Sequence, residues 1–238
     1  MNTDTFKLGI LKTDDVRPEW VDEFGEYPDM FASLLRGVNP SLEIRVYEVQ
    51  LGEYPQDIDE VDGYLMTGSK SSVYEDKPWI HQLADFVRQL DQANKKLVGI
   101  CFGHQMIAHA LGGKTAKSDK GWGVARHTAN LTDKAGAYAK AGTPFSILVS
   151  HQDQVMQPAT GAQVLASSEF CPVAMCQLGN HMLSFQGHPE FMPAYSQELL
   201  DLRRDIYGED LYQQGVESLS QPLDQAKVAG WIMDFLRD

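Results

Sequence analysis

Short apolar runs alternate with amphipathic stretches through the first half of the chain. Residues 6–11 form an apolar run that fits a buried strand. Residues 14–28 are polar and interrupted by Pro18, Gly25 and Pro28, and read as a loop. Met30, Phe31, Leu34 and Leu35 lie on one face of a helix over 29–35 that stops near Gly37. Leu42, Ile44, Val46, Tyr47 and Val49 mark a second strand, and 61–66 a third, which runs into Thr67-Gly68-Ser69-Lys70-Ser71-Ser72. Pro78 opens a helix whose apolar face is Ile80, Leu83, Phe86, Val87 and Leu90. The next apolar run, Leu97 to Ile100, leads into Cys101, and Met106, Ile107, Ala110 and Leu111 continue it at helical spacing.

After Gly112-Gly113 the pattern changes. Strand candidates at 125–131, 145–149, 163–167, 172–177 and 182–185 are short and closely spaced, which predicts an antiparallel or mixed section on the same sheet. Residues 193–207 and 225–236 read as helical. Strands alternating with helices predict an α/β fold with a mostly parallel sheet and right-handed crossovers. No repeat or linker divides the chain, so one domain is expected over 1–238, with a core of about 6–195 and C-terminal helices of about 193–238. Ligands of open α/β sheets sit at the carboxyl ends of the strands. Gly68, Cys101 and the residues after Phe185 all fall at such ends.

Composition narrows the partners. The 238 residues carry a net charge of −13 and show no Lys/Arg cluster, which argues against nucleic acid. Three cysteines, Cys101, Cys171 and Cys176, point to a reducing compartment. Residues 1–5 lack the pattern of a signal peptide, and no apolar run has the length of a membrane span. A soluble cytoplasmic protein without membrane partners is expected. His104 and His109 are five apart, whereas metal ligands on one helix face are three or four apart, so no metal is expected.

The chemistry centres on Gly99-Ile100-Cys101-Phe102-Gly103-His104-Gln105. Strand, sharp turn and helix with a cysteine at the turn is the thiol counterpart of a nucleophile elbow. A cysteine at a helix N-terminus feels the positive end of the helix dipole, which favours the thiolate. A cysteine nucleophile also needs a base and an orienting acid. Ser184-Phe185-Gln186-Gly187-His188-Pro189-Glu190 offers His188 and Glu190 at the end of another strand. Gly68 and Phe102, the residue after the cysteine, can give backbone N–H groups to an oxyanion.

These motifs resemble the class I glutamine amidotransferases of the Cys-His-Glu type, in particular the amidotransferase domain of GMP synthetase and its stand-alone relatives. The similarity runs from about Phe6 to about Tyr195. The resemblance implies a Rossmann-like, flavodoxin-like fold, a γ-glutamyl thioester on Cys101 and no cofactor. It assigns His188 as base, Glu190 as orienter, Gly68 and Phe102 as oxyanion donors, and Gln105 as a contact for the substrate amide. It assigns Ser150-His151-Gln152-Asp153 to the α-amino and α-carboxylate groups. The family's Gly-Gly-Pro is here Thr67-Gly68-Ser69, and no acceptor domain follows the triad. The substrate is therefore expected to be glutamine or another γ-glutamyl compound, either cleaved unaided or cleaved to supply ammonia to a separate synthetase subunit. A non-catalytic binding or regulatory protein on the same fold is the alternative from another class.

Other residues have plainer readings. Cys171 and Cys176 read as core or surface thiols. His151 fits a substrate contact or an ordinary loop histidine equally well. Gly121-Trp122-Gly123 reads as a tight turn with an anchoring Trp rather than a wall of the site, and the acidic run 57–62 as a solvated face.

Overall fold

A computed structural model describes residues 5–238; residues 1–4, most of the stretch read for a leader, lie outside the described residues. The elements in chain order are β1 (Lys7–Lys12), α1 (Pro18–Phe24), α2 (Tyr27–Arg36), β2 (Glu43–Glu48), β3 (Gly63–Met66), α3 (Pro78–Gln92), β4 (Leu97–Ile100) and α4 (Phe102–Ala110). Then come β5 (Lys114–Lys117), β6 (Gly123–Leu131), β7 (Pro144–His151), β8 (Asp153–Gln157), β9 (Gln163–Ser167), β10 (Met175–Leu178) and β11 (Met182–Phe185). Four helices close the chain: α5 (Pro193–Leu202), α6 (Arg204–Tyr207), α7 (Glu209–Ser218) and α8 (Gln225–Arg237).

Nine strands form one sheet in the order β2-β1-β3-β4-β11-β10-β9-β6-β7. From β2 to β11 the neighbours run parallel, and from β11 to β7 they run antiparallel. β3, β4 and β11 are buried along their whole length, as strands covered on both faces must be, and this is why they read as unbroken apolar runs. One face packs Leu8, Ile10, Val98 and Ile100 against Phe31 and Leu35 of α2 and Ile232 and Leu236 of α8. The other packs Leu11, Tyr64 and Met66 against Leu83 and Val87 of α3 and Phe102 and Met106 of α4. Each such side chain contributes about 1.5–3 kcal/mol when fully buried. β5 and β8 pair in a separate two-stranded sheet.

The register sets the site. Met66 pairs with Gly99, Gly99 with Ser184, and Ile100 with Phe185. The carboxyl ends of β3, β4 and β11 are therefore level, and Gly68, Cys101 and His188 follow them directly.

Three expectations are corrected. Residues 14–28 are not all loop: Pro18 opens α1, where its missing N–H costs nothing, and Gly25 at φ 73° ends it. The helix expected over 193–207 breaks at Arg203 into α5 and α6. β5 and β8 carry no apolar run and were not expected as strands. No helix among the described residues is long and apolar enough to cross a membrane.

Candidate active site

Cys101 sits between β4 and α4 with φ 52° and ψ −98°, a left-handed backbone that costs a non-glycine residue about 1–3 kcal/mol. Two glycines hold that turn. A Cβ on Gly99 would stand 2.6 Å from the carbonyl of Gly103, and one on Gly103 would stand 2.6 Å from the Met66 oxygen. Strand, helix and the neighbouring strand thus touch through bare backbone. The Cys101 amide donates to the Phe185 carbonyl at 2.8 Å, and Gln105 N–H donates to the Cys101 carbonyl at 3.0 Å. The side chain is buried at the positive end of α4.

His188 arrives from the end of β11. Its amide donates to the Leu148 carbonyl at 2.7 Å, tying the turn to β7. Its Nδ1 lies 2.7 Å from Glu190 Oε1, and both side chains are buried. Phe191 stacks on the imidazole, with centroids 3.8 Å apart and planes 7° apart. Burial alone would lower the His188 pKa. The Glu190 carboxylate, together with the charge and hydrogen bond of the Cys101 sulfur, outweighs it and pushes the ring up to about 10.

Gly68 closes the third side. A Cβ there would lie 2.7 Å from His188 Cε1 and 3.6 Å from Cys101 Cβ. The loop is clamped from β1: the Thr13 hydroxyl donates to the carbonyls of Thr67 (3.1 Å) or Gly68 (2.8 Å), and Thr13 N–H donates to the Thr67 hydroxyl at 3.0 Å. The next residues are held by buried Asp14, which accepts from Lys70 N (2.8 Å) and Lys70 Nζ (2.7 Å). The N–H groups of Gly68 and Phe102 donate to no protein acceptor among the described residues.

A cavity of about 540 Å³ opens over these residues, lined by Gly68, Cys101, Gln105, Ser150, His151, Gln152, Asp153 and His188. Every site residue expected from the sequence lines it except Glu190 and Phe102. Glu190 lies behind His188, and the Phe102 side chain packs in the core. Gln105 Nε2 donates to the Asp153 carbonyl at 3.0 Å, and His151 Nδ1 lies 3.0 Å from the same oxygen. The Asp153 carboxylate accepts from Ser72 (2.5 Å) and Tyr74 (3.0 Å). His151 is buried and neutral, its pKa lowered to about 3, chiefly by desolvation.

The sequence reading missed several neighbours. Gln186 Nε2 points at Cys101 Sγ at 3.7 Å. Asp14, Tyr27, Tyr195 and Arg203 line the cavity too, and Tyr27 and Tyr195 join hydroxyls at 3.0 Å. Trp122, read as a turn anchor, lines the cavity as well. The signal available was position: Asp14 follows β1 at the same sheet edge, and Gln186 follows Phe185. Of the two placements open to Cys171 and Cys176, core or surface, the structure shows the buried one. Among the described residues no cluster of His, Cys, Asp and Glu is arranged to hold a metal.

The glutamine amidotransferase class-I family matches residues 21–202 of this chain. The chain is 34% identical to gamma-glutamyl peptidase 5 of Arabidopsis thaliana over 185 residues, covering 75% of this chain and 73% of the relative. It is also 34% identical to gamma-glutamyl peptidase 4 of the same plant, covering 71% and 69%. The crystal structure of a glutamine amidotransferase from Thermotoga maritima shares the fold, with a TM-score of 0.75 at 16% identity, covering 98% of this chain and 96% of that one.

Proposed function

The chain belongs to the class-I glutamine amidotransferase family, and on that premise we propose that it hydrolyses γ-glutamyl amide bonds through a thioester on Cys101. The observation that carries this reading is the convergence of Cys101, in its left-handed turn, with the His188–Glu190 pair at 2.7 Å and the bare Gly68 backbone between them.

His188 takes the proton of the Cys101 thiol. Sγ attacks the γ-carbonyl carbon, and the carbonyl electron pair moves to oxygen, facing the free N–H groups of Gly68 and Phe102. One such donor is worth about 10²–10³ in rate. The intermediate collapses, the C–N bond breaks, and the leaving amine takes the proton from His188. Water then gives a proton to His188 and its oxygen attacks the thioester. The C–S bond breaks, the thiolate returns, and the new carboxylic acid loses its proton to solvent. Glu190 orients the ring throughout. Gln105 and the 150–153 segment receive the γ-glutamyl group.

The oxyanion loop is already clamped by Thr13 and Asp14, which favours an enzyme that works unaided, as do the relatives named gamma-glutamyl peptidases. A second reading has one observation behind it. The chain is 27% identical to a GMP synthase of Lachnospira eligens, although it covers only 32% of that protein. In that reading the chain supplies ammonia to a separate synthetase subunit. We take residues 1–238 as one amidotransferase domain, and the free thiols fit a reducing cytoplasm.

The test is release of glutamate from glutamine and a panel of γ-glutamyl amides and peptides, with Cys101→Ala as control. Steady turnover that the control lacks supports the unaided hydrolase. Labelling of Cys101 by a glutamine-analogue electrophile without turnover supports the subunit. Absence of both turnover and labelling would support the non-catalytic binding protein.

A further inference from the structure

The charges around the cavity are unevenly paired. Four lysines and arginines line it: Arg17, Lys70, Lys117 and Arg203. Arg17 binds Glu19 at 2.7 Å, and Lys70 binds Asp14 at 2.7 Å. Lys117 and Arg203 have no carboxylate partner among the described residues, in a chain of net charge −13.

Arg203 is also fixed in place. It sits at the break between α5 and α6, its Nη1 donates to Ser150 Oγ at 2.7 Å, and its guanidinium lies 5.4 Å from the Trp122 ring centroid. Trp122 is in turn held edge-on to Tyr207 at 5.4 Å. Nε and Nη2 donate to no protein group among the described residues. That free edge is the fork that grips a carboxylate with two parallel hydrogen bonds.

On the anionic side, Asp14 is paired with Lys70, Asp15 shares Lys12 with Glu26 and Glu48, and Asp153 is held only by hydroxyls. The cavity therefore offers two cations, Lys117 and Arg203, without a carboxylate partner among the described residues. Glutamine carries one carboxylate and one ammonium and would leave a cation unmatched. A γ-glutamyl amino acid or peptide carries two carboxylates, one for each of these cations. The cavity is also of the size that takes a small organic ligand, about 300–1,000 Å³.

We propose that Arg203, seconded by Lys117, is a specificity-determining residue that binds the carboxylate of the leaving group, so that the site prefers γ-glutamyl amino acids or peptides to glutamine. This rests on the γ-glutamyl hydrolase reading above and names its substrate class.

The test compares γ-glutamylglycine, its C-terminal amide and glutamine, with wild type, Arg203→Gln, Arg203→Lys and Lys117→Gln. Wild type is expected to favour the acid over the amide. Arg203→Gln is expected to raise KM for the acid about tenfold or more, the loss of a charge-assisted pair. The penalty on the amide stays small, Arg203→Lys recovers part of the loss, and Lys117→Gln has a weaker effect of the same kind. An equal penalty on all three substrates would assign Arg203 to the γ-glutamyl α-carboxylate or to structure, and would overturn the proposal. So would a wild type indifferent to the leaving-group carboxylate, while Cys101-dependent turnover left the hydrolase reading intact. Calorimetric binding of the acid and the amide to the Cys101→Ala protein gives the same comparison without chemistry. Equal binding of the two, or binding of neither, overturns the proposal whatever the turnover result.

Discussion

His188 and Phe191 lie ring on ring, with centroids 3.8 Å apart and planes only 7° apart. Phe191 is fixed by Tyr195 at 4.8 Å, and Tyr195 by the hydroxyl of Tyr27 at 3.0 Å. Glu190 fixes the imidazole in its plane through Nδ1, and Phe191 fixes it against tipping. The imidazole is thus held in two directions by its neighbours.

Phe191→Ala removes the second constraint. Its expected effect is a fall in kcat of about tenfold to a hundredfold with a smaller change in KM, because misplacing a catalytic group by an ångström costs that much. The cavity it leaves should lower stability by about 3–5 kcal/mol. Phe191→Leu fills most of that volume without a flat face. It should recover the stability more fully than the rate, which steady-state kinetics and thermal melts together would reveal.

Gly68→Ala tests the oxyanion side. The added methyl stands 2.7 Å from His188 Cε1, so either the ring or the loop must move. A loss of at least a hundredfold in kcat is expected, comparable to losing one oxyanion donor. Thr13→Val should act on the same loop from a distance. It removes the hydroxyl that the Thr67 and Gly68 carbonyls share and should cost about 1–3 kcal/mol in stability, measured by denaturant titration.

The nucleophile motif, Gly68 and the His-x-Glu pair were legible because each is a contiguous string at the end of an apolar run. The parallel part of the sheet was legible for the same reason. Arg203 was not, because nothing local in Asp201-Leu202-Arg203-Arg204 marks a cavity wall. It reaches the site only through the break between α5 and α6 and the fold of β6 and β7. α1 was hidden because Pro18 marks both turns and helix starts. β5 and β8 were hidden because Lys114–Lys117 and Asp153–Gln157 carry no apolar run and pair only with each other, in a separate two-stranded sheet. Phe191 and Tyr195 come soon after the His-x-Glu string, yet only packing distinguishes a ring that holds a histidine from one that fills the core.

Acid should destabilise the protein through its buried and half-buried neutral histidines. Desolvation lowers His104 and His127 to about 4 and His151 to about 3, against 6.5 in the unfolded chain. Below pH 6.5 the unfolded chain binds protons that these rings refuse, so stability falls as pH drops from about 6.5 to about 4. His188 has the opposite sign. Burial opposes its charge, but Glu190 and Cys101 raise it to about 10, so its contribution is full below pH 6.5 and is lost as pH rises toward 10. His104→Gln should flatten the acid limb of the melting temperature against pH, and Cys101→Ala should flatten the alkaline limb. Unchanged limbs would contradict these assignments.

The triad variants rank by distance from the chemistry. Cys101→Ala should abolish turnover with the fold intact. His188→Ala should cost about 10⁴-fold in kcat and Glu190→Gln less, about 10²-fold, within the range of general acid–base catalysis.

The most direct measurement is the acyl-enzyme itself. Wild-type protein is mixed with a γ-glutamyl substrate that it turns over, quenched in acid within the first turnover, and digested for mass spectrometry. A γ-glutamyl group on the peptide containing Cys101, absent from Cys101→Ala and from unmixed protein, is the predicted result. Glutamate release that persists in Cys101→Ala, with no adduct on Cys101 at any quench time, would contradict the thioester mechanism.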